Sequence, residues 1–206
     1  MGETTDGSGG TVTETERVRG IGERVSLAGG AVAGVGAYLI GYLATYVTQS
    51  GAVRDRLAGL NALASLFGGD PVAAWQGVGW YFYNAHFVAT VVPSFGGTRT
   101  VDLIASADAS VGYLYVLPPL ALFVAGAAVA FLDGASDPTD GALAALGVVP
   151  AYFVLALAGA FLFAYGAGDA GSVHPEYVTA ALLAGLVYPV VFGGIGGAVG
   201  GVVGGD

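Results

Sequence analysis

Long uncharged apolar runs alternate with short polar joints along most of this chain. A polar stretch covers residues 1–24, and apolar runs follow over 25–47, 72–92, 113–132, 141–166 and 177–203. Each run has about 20 residues or more. At a rise of about 1.5 Å per residue, that length crosses a hydrocarbon core of about 30 Å. The pattern predicts an all-α integral membrane protein. Its single domain over 25–203 is expected to be a bundle of five transmembrane helices, preceded by a disordered polar tail and closed by the C-terminal end 204–206. The second run is the exception in kind, because it carries Gln76, Asn84 and His86; if it does not span, four helices remain.

The joints carry start and stop signals. Gly68-Gly69-Asp70-Pro71 reads as a glycine stop, an Asp N-cap and a proline in the first helical position. Asp137-Pro138 and His174-Pro175-Glu176 read as further helix starts. Between the first two runs, Val53, Leu57, Leu60, Ala64 and Phe67 recur at helical spacing, while Arg54, Asp55, Asn61 and Ser65 fall largely elsewhere. That predicts a short amphipathic helix, either lying at the interface or packed on a loop outside the membrane. Pro118-Pro119, Pro150 and Pro189 fall in the last three runs and are expected to kink them.

The second run contains Trp80-Tyr81-Phe82-Tyr83-Asn84-Ala85-His86-Phe87, with five aromatic residues in eight. On a helical wheel Gln76, Trp80, Tyr83, Phe87 and Thr90 share one face, and Val78, Phe82, Ala85, Val88, Ala89 and Val92 share the opposite one. The first face is expected to point into the bundle and the second to lipid. Asn84 and His86 flank the polar face about 160° apart, so they do not grip one small ligand together. His86 is the one acid, arginine or histidine well inside a run, which makes it a functional-site candidate; the alternative is a neutral imidazole bridging two helices. In the first run Tyr38, Tyr42 and Tyr46 form a stripe with Thr45 beside it, and Tyr38 is deep enough to need a partner for its hydroxyl.

Composition agrees with the pattern. The 206 residues are 55% hydrophobic and 10% charged, and mean hydropathy is +0.73. No cysteine is present, which excludes disulfides, thiol catalysis and cysteine-ligated metals. Six arginines, no lysine and fifteen acids give a net charge of −9. An acid-rich, lysine-free chain suits molar salt, where charges are screened within about 3 Å, and points to a halophilic archaeon. It also leaves no basic patch for nucleic acid. Five spans would place Arg17, Arg19, Arg24 and Arg99 on one side and Arg54 and Arg56 on the other, so the N-terminus is expected in the cytoplasm. Four spans would divide the arginines three and three.

Candidate chemistry is sparse. No run holds an internal carboxylate, lysine or arginine, and the chain lacks a Gly-x-Ser-x-Gly elbow, a His-Glu-x-x-His helix and a phosphate-binding loop. We therefore expect no enzyme, no cofactor and no metal site; His174, near Asp169 and Glu176, is the only other histidine. The possible pathway or polar bundle face comprises His86, Gln76, Asn84, Tyr83, Thr90 and Tyr38. Glycines four apart (Gly193, Gly197, Gly201 and Gly205, with Gly196, Gly200 and Gly204 beside them) form small-residue ridges, matched by Gly30 and Gly34 in the first run. They are expected to pack helices, within the chain or in an oligomer. Partners are then the lipid bilayer and further copies or other membrane subunits. The expected function is transport-related or channel-like for a small solute or ion; the alternative is a structural or accessory subunit of a larger membrane complex.

The segment VRDRLAGLNALASLFGGDPVAAWQGVGWYFYNAHFV, followed by YVLPPLALFVAGAAVAF, resembles a family of small uncharacterised multi-pass membrane proteins of haloarchaea. The resemblance covers roughly residues 25–200 and implies source and topology class. Some members carry a loose transporter label. The resemblance brings no catalytic or binding residues with it.

Overall fold

A computed structural model of the chain describes residues 9–66, 69–107, 109–166, 168 and 171–204, with side chains from Leu27 onward apart from residues 63, 64 and 109. Helix α1 runs without a break over Gly9–Leu66. It takes in residues 9–24, expected as a disordered tail, and the predicted amphipathic helix as well. Val53 and Leu57 are buried against the next helix while Arg54 and Asp55 stay exposed, so the amphipathic pattern marks the place where one long helix leaves the bundle and gains a single packed face. Residues 1–8, and with them the first part of the predicted tail, lie outside the described residues, as do Phe67, Gly68, Asp169 and Gly205.

Helix α2 covers Ala74–Asn84 and is only 11 residues long. Strands β1, Thr90–Ser94, and β2, Gly97–Val101, follow it. A tight helical stretch over Ala109–Val116 leads into α3, Leu117–Leu132. Then come α4, Pro138–Ala145, and α5, Val148–Leu162, followed by β3, Tyr165–Gly166, and β4, Ser172–Pro175. The last helix is continuous from Tyr177 to Gly204: α6 over Tyr177–Thr179, wide π-type turns over Ala180–Val187 and Pro189–Gly193, and α7 over Gly194–Gly204. The four strands form one antiparallel sheet in the order β2-β1-β4-β3.

Among the described residues, four helices are long and apolar enough to cross a membrane: Leu27–Ala62, Ser110–Leu132, Pro138–Leu162 and Tyr177–Gly204. They are consistent with a membrane location. The expected fifth span over 72–92 does not form. Eleven helical residues reach about 16 Å, roughly half a hydrocarbon core, and the rest of the run is turn and strand. With α2 not crossing, the arginines divide three and three, and they no longer favour either orientation.

The predicted proline kinks take the form of breaks in helix type: tight turns give way to α3 at Pro118-Pro119, and α4 gives way to α5 just before Pro150. Pro118 and Pro119 occupy the first turn of α3, and Pro150 the first turn of α5. Only Pro189 lies deep in a helix, and there the turns widen to the π form. Among the start signals, the Asp137 side chain accepts from the amides of Thr139 and Asp140 and caps α4. Glu176, rather than His174, caps the last helix, accepting from the amides of Val178 and Thr179. Helix α2 starts three residues later than Asp70-Pro71 suggests, with Ala73 as its N-cap.

Glycines set the helix directions. A methyl group at Gly30 would lie 2.5 Å from the Gly147 backbone, and one at Gly34 would lie 2.5 Å from the Val148 carbonyl, so α1 meets the α4–α5 junction backbone to backbone. Further along, Tyr42 stacks on Phe163 with centroids 5.2 Å apart, so α1 and α5 run in parallel. One row of the last helix, Gly196 and Gly200, presses on Phe123 and Ala127 of α3. The other, Gly197 and Gly201, presses on Gly141 and Asp137 of α4; Gly193 stands against Gly126. Both ridges are thus filled from within the chain. The sheet caps the end of the bundle at which α5 stops, and Leu27 and Gly204 both lie toward the opposite end.

A hairpin inserted into the bundle as the candidate functional site

Helix α2 runs antiparallel to α5 and descends into the bundle from the sheet end. Its side chains record the descent. Gln76 Nε2 donates to the Ala164 carbonyl at 3.0 Å, and Trp80 Nε1 to the Phe163 carbonyl at 2.8 Å. Tyr83 donates to the Ala156 carbonyl, and His86 meets the Tyr152 hydroxyl at 2.7 Å. From Phe163 back to Tyr152 is about 16 Å along α5. Gly77 and Gly79 permit the close fit, since a methyl on Gly77 would strike Val53 and one on Gly79 would strike the Phe163 ring.

Every residue from Gly77 to His86 is buried. The face expected to meet lipid, including Val78, Phe82, Ala85 and Val88, is enclosed instead by α1, the Ala109–Val116 stretch and the sheet. An apolar-all-round helix belongs in an interior, and this one is surrounded by protein.

At Asn84 the chain stops being helical, turns over residues 85–87, and climbs back as β1. Phe87, expected on the inward face, is instead exposed, because the helix has already ended: it takes the left-handed conformation at φ 57, a strained setting for a bulky residue, and its ring stacks on Tyr115 at 4.7 Å. Non-helical backbone deep in a bundle needs partners for its polar groups, and the polar side chains of the run supply them. The His86 ring bonds the Phe82 carbonyl through Nδ1 at 2.8 Å. A carbonyl only accepts, so Nδ1 carries the proton; full burial disfavours a second proton on the ring, and Nε2 then accepts from Tyr152. The imidazole is therefore a neutral bridge from α2 to α5. Asn84 donates to the Val88 carbonyl at 2.6 Å and to the Thr90 hydroxyl at 3.2 Å, and accepts from the Leu103 amide at 2.5 Å. Tyr188, within the widened turns, donates to the Ala85 carbonyl at 3.3 Å. Among the described residues no buried side-chain nitrogen or oxygen is left without a partner.

The structure thus separates the predicted pathway residues into groups. Gln76, Tyr83 and Tyr38 face α5; the Tyr38 and Tyr83 hydroxyls lie 3.2 Å apart over Gly159, where a methyl would collide with both. His86 joins Tyr152. Asn84 pairs with Thr90 on the side of the returning strand, away from His86, as the wheel placed it. Tyr152, Tyr188 and Phe163 complete the site from other helices, and neither spacing nor composition singles them out.

Beside the hairpin, under the sheet, is a cavity of about 540 Å³. Trp80, Tyr81 and Gly77 of α2 form one wall, Val53, Arg56 and Leu57 of α1 another, and Thr90, Val92 and Arg99 of the strands a third. It stops short of Tyr83 and His86. Arg56 donates to the Tyr81 hydroxyl and lies 5.7 Å from the centre of its ring. No group of three or more metal-ligating side chains occurs among the described residues.

Fold and site together define a helical bundle with four helices of spanning length among the described residues, a half-length helix-and-strand hairpin inserted between them, and a small sheet closing one end. The chain belongs to DUF7978, a family of unknown function whose sequence model matches residues 10–204. No curated protein and no solved structure matches it.

Proposed function

We propose that this is a membrane-embedded, transport-related protein that takes up a small solute at the cavity under the sheet, with the inserted hairpin as its moving element. The observation that carries the reading is the hairpin itself. A half-length helix buried as far as His86, followed by an extended return that is only partly buried, is tolerated in a membrane only when protein or a water-lined path satisfies its backbone, and broken or re-entrant segments of this kind commonly line transport pathways. The strained turn at Phe87 and the π turns facing it at Tyr188 support the same reading, since such features concentrate where structure moves. In the described state the tip is closed, so a pathway would open by withdrawal of the hairpin from α5. The resemblance to haloarchaeal proteins and the acid-rich composition support a membrane bathed in concentrated salt.

The absence of native cysteine makes the test direct. In proteoliposomes, an Ala85→Cys protein is expected to react with a small water-soluble methanethiosulfonate reagent, while Val124→Cys, on the outer surface of α3, does not. An unreactive Ala85→Cys would remove the pathway reading.

A second reading, the accessory subunit, is favoured by a lateral groove between α1 and α3. It is lined by small residues, among them Ala33, Gly36, Gly41, Ala121 and Ala125, and encloses about 430 Å³. With the glycine ridges consumed internally, this groove is where a helix of a partner or of another copy would lie. Co-purification of a stoichiometric membrane subunit, together with an unreactive Ala85→Cys, would favour it.

A further inference from the structure

We propose that the cavity under the sheet binds an amphiphilic anion: a single acidic headgroup held between Arg56 and Arg99, on an apolar body that fills the space against Trp80. The inference deepens the transport reading and rests on that reading's choice of the cavity as the solute site.

Charge distribution is the first argument. The chain carries −9 overall and has only six cationic side chains, yet two of them line this one cavity, and among the described residues no carboxylate lines it. The arginines come from distant parts of the chain, α1 and β2, and converge only in the fold. Donor balance is the second. The Tyr81 hydroxyl already accepts from Arg56, and among the described residues nothing takes its own proton. The two other polar side chains nearest that wall are occupied: Asn61 bonds the Val72 amide and carbonyl at 2.8 Å and 3.0 Å, and Tyr165 donates to the Asp70 carbonyl. The site therefore offers two guanidiniums and a phenolic proton, all donors, and calls for an acceptor-only, negatively charged group. Size and surface are the third argument. About 540 Å³ is within the usual range for small-molecule sites, and apart from Asn61 and Thr90 the remaining lining is mostly aliphatic and aromatic, which suits an alkyl or aryl body rather than a bare inorganic anion.

Trp80 reports on occupancy. With Trp75→Phe it becomes the only tryptophan, because the chain has two. The protein is reconstituted in nanodiscs of zwitterionic phosphatidylcholine and titrated with 11-bromoundecanoate, whose bromine quenches indole fluorescence on contact. Parallel titrations use 11-bromoundecanol and (11-bromoundecyl)trimethylammonium. A further pair of discs carries brominated phosphatidylglycerol or brominated phosphatidylcholine, to tell a lipid headgroup from a free amphiphile. The expected result is saturable quenching at least tenfold tighter for the anionic probe, free or lipid-borne, than for its neutral and cationic counterparts. Arg56→Gln with Arg99→Gln, both exposed positions, should erase that preference without lowering the melting temperature. Equal quenching by all three charge types, or an anion preference that survives the double substitution in a folded protein, would overturn the proposal. Charge-selective quenching with an unreactive Ala85→Cys would leave the anion site standing and remove the transport reading, so the two fail separately.

Discussion

Replacing His86 by leucine tests the chemistry of the hairpin tip. The ring donates to the Phe82 carbonyl and accepts from the Tyr152 hydroxyl, and all three groups are buried. Leucine is similar in bulk and leaves both partners unpaired. An orphaned buried polar group costs about 1–3 kcal/mol, so His86→Leu should destabilise by about 2–5 kcal/mol. Tyr152→Phe removes one hydroxyl and orphans only Nε2, for about 1–2 kcal/mol. In the double variant the second change should be cheaper, because its partner is already gone. Cycles across membrane helices average about 0.6 kcal/mol and reach about 1.7, so a coupling of roughly 1 kcal/mol is expected for a short bond at 2.7 Å. Titration of mixed micelles with sodium dodecyl sulfate, followed by tryptophan fluorescence, measures all four corners. Strict additivity, with a coupling within about 0.3 kcal/mol of zero, would refute the bridge and with it the docking of α2 on α5.

Three further outcomes follow from the packing and caps. Gly197→Leu places side-chain atoms against the Gly141 carbonyl and Ala145, where even a methyl is too close, and should cost about 3 kcal/mol or more in the same titration. Gly29→Ala, one position from the tight Gly30 contact but with nothing within 4 Å, should instead gain about 0.5–1 kcal/mol from helix propensity, and a loss there would show that this stretch of α1 is not a plain exposed helix. Glu176 is held below the usual carboxylate range, first by the Thr179 hydroxyl and then by the Thr179 and Val178 amides. Because its folded pKa is depressed, the stabilisation is full above the ordinary value of 4.5 and is lost as pH falls through the lower folded value. Thermal melts of Glu176→Gln should therefore lie below the parent at neutral pH by the equivalent of about 0.5 kcal/mol and converge with it in acid; a gap that persists in acid would contradict the cap.

Hydropathy made the four long helices legible, because a spanning length of uncharged residues has few other uses. The same measure failed at residues 72–92, where an apolar run can equally be a span or a buried hairpin. A finer signal was present. Val88, Thr90, Val91 and Val92 are a β-branched run leading to Pro93, and Gly96-Gly97 divides it from Thr98-Arg99-Thr100-Val101. β-branched residues on either side of a double glycine mark a β-hairpin, and both glycines adopt positive φ. Half of the candidate site could be read from the wheel, which separated Asn84 from His86 correctly. The enclosure of the opposite face could not, because a lipid-facing and a core-facing valine look alike in sequence. The glycine ridges announced tight packing, but not that α3 and α4 of the same chain would fill them. Arg56 and Arg99, 43 positions apart, come to line one cavity only through the fold.

The central claim is that residues 72–92 enter the bundle and leave it by the same end. Single cysteines at Ser65 and Thr98, before and after the hairpin, and at Ser136, between α3 and α4 at the far end, can be challenged with a membrane-impermeant maleimide in sealed vesicles of one orientation. The account predicts that Ser65→Cys and Thr98→Cys react from the same side and Ser136→Cys from the other. Labelling of Ser65→Cys and Thr98→Cys from opposite sides would show that the segment crosses the membrane and would contradict it.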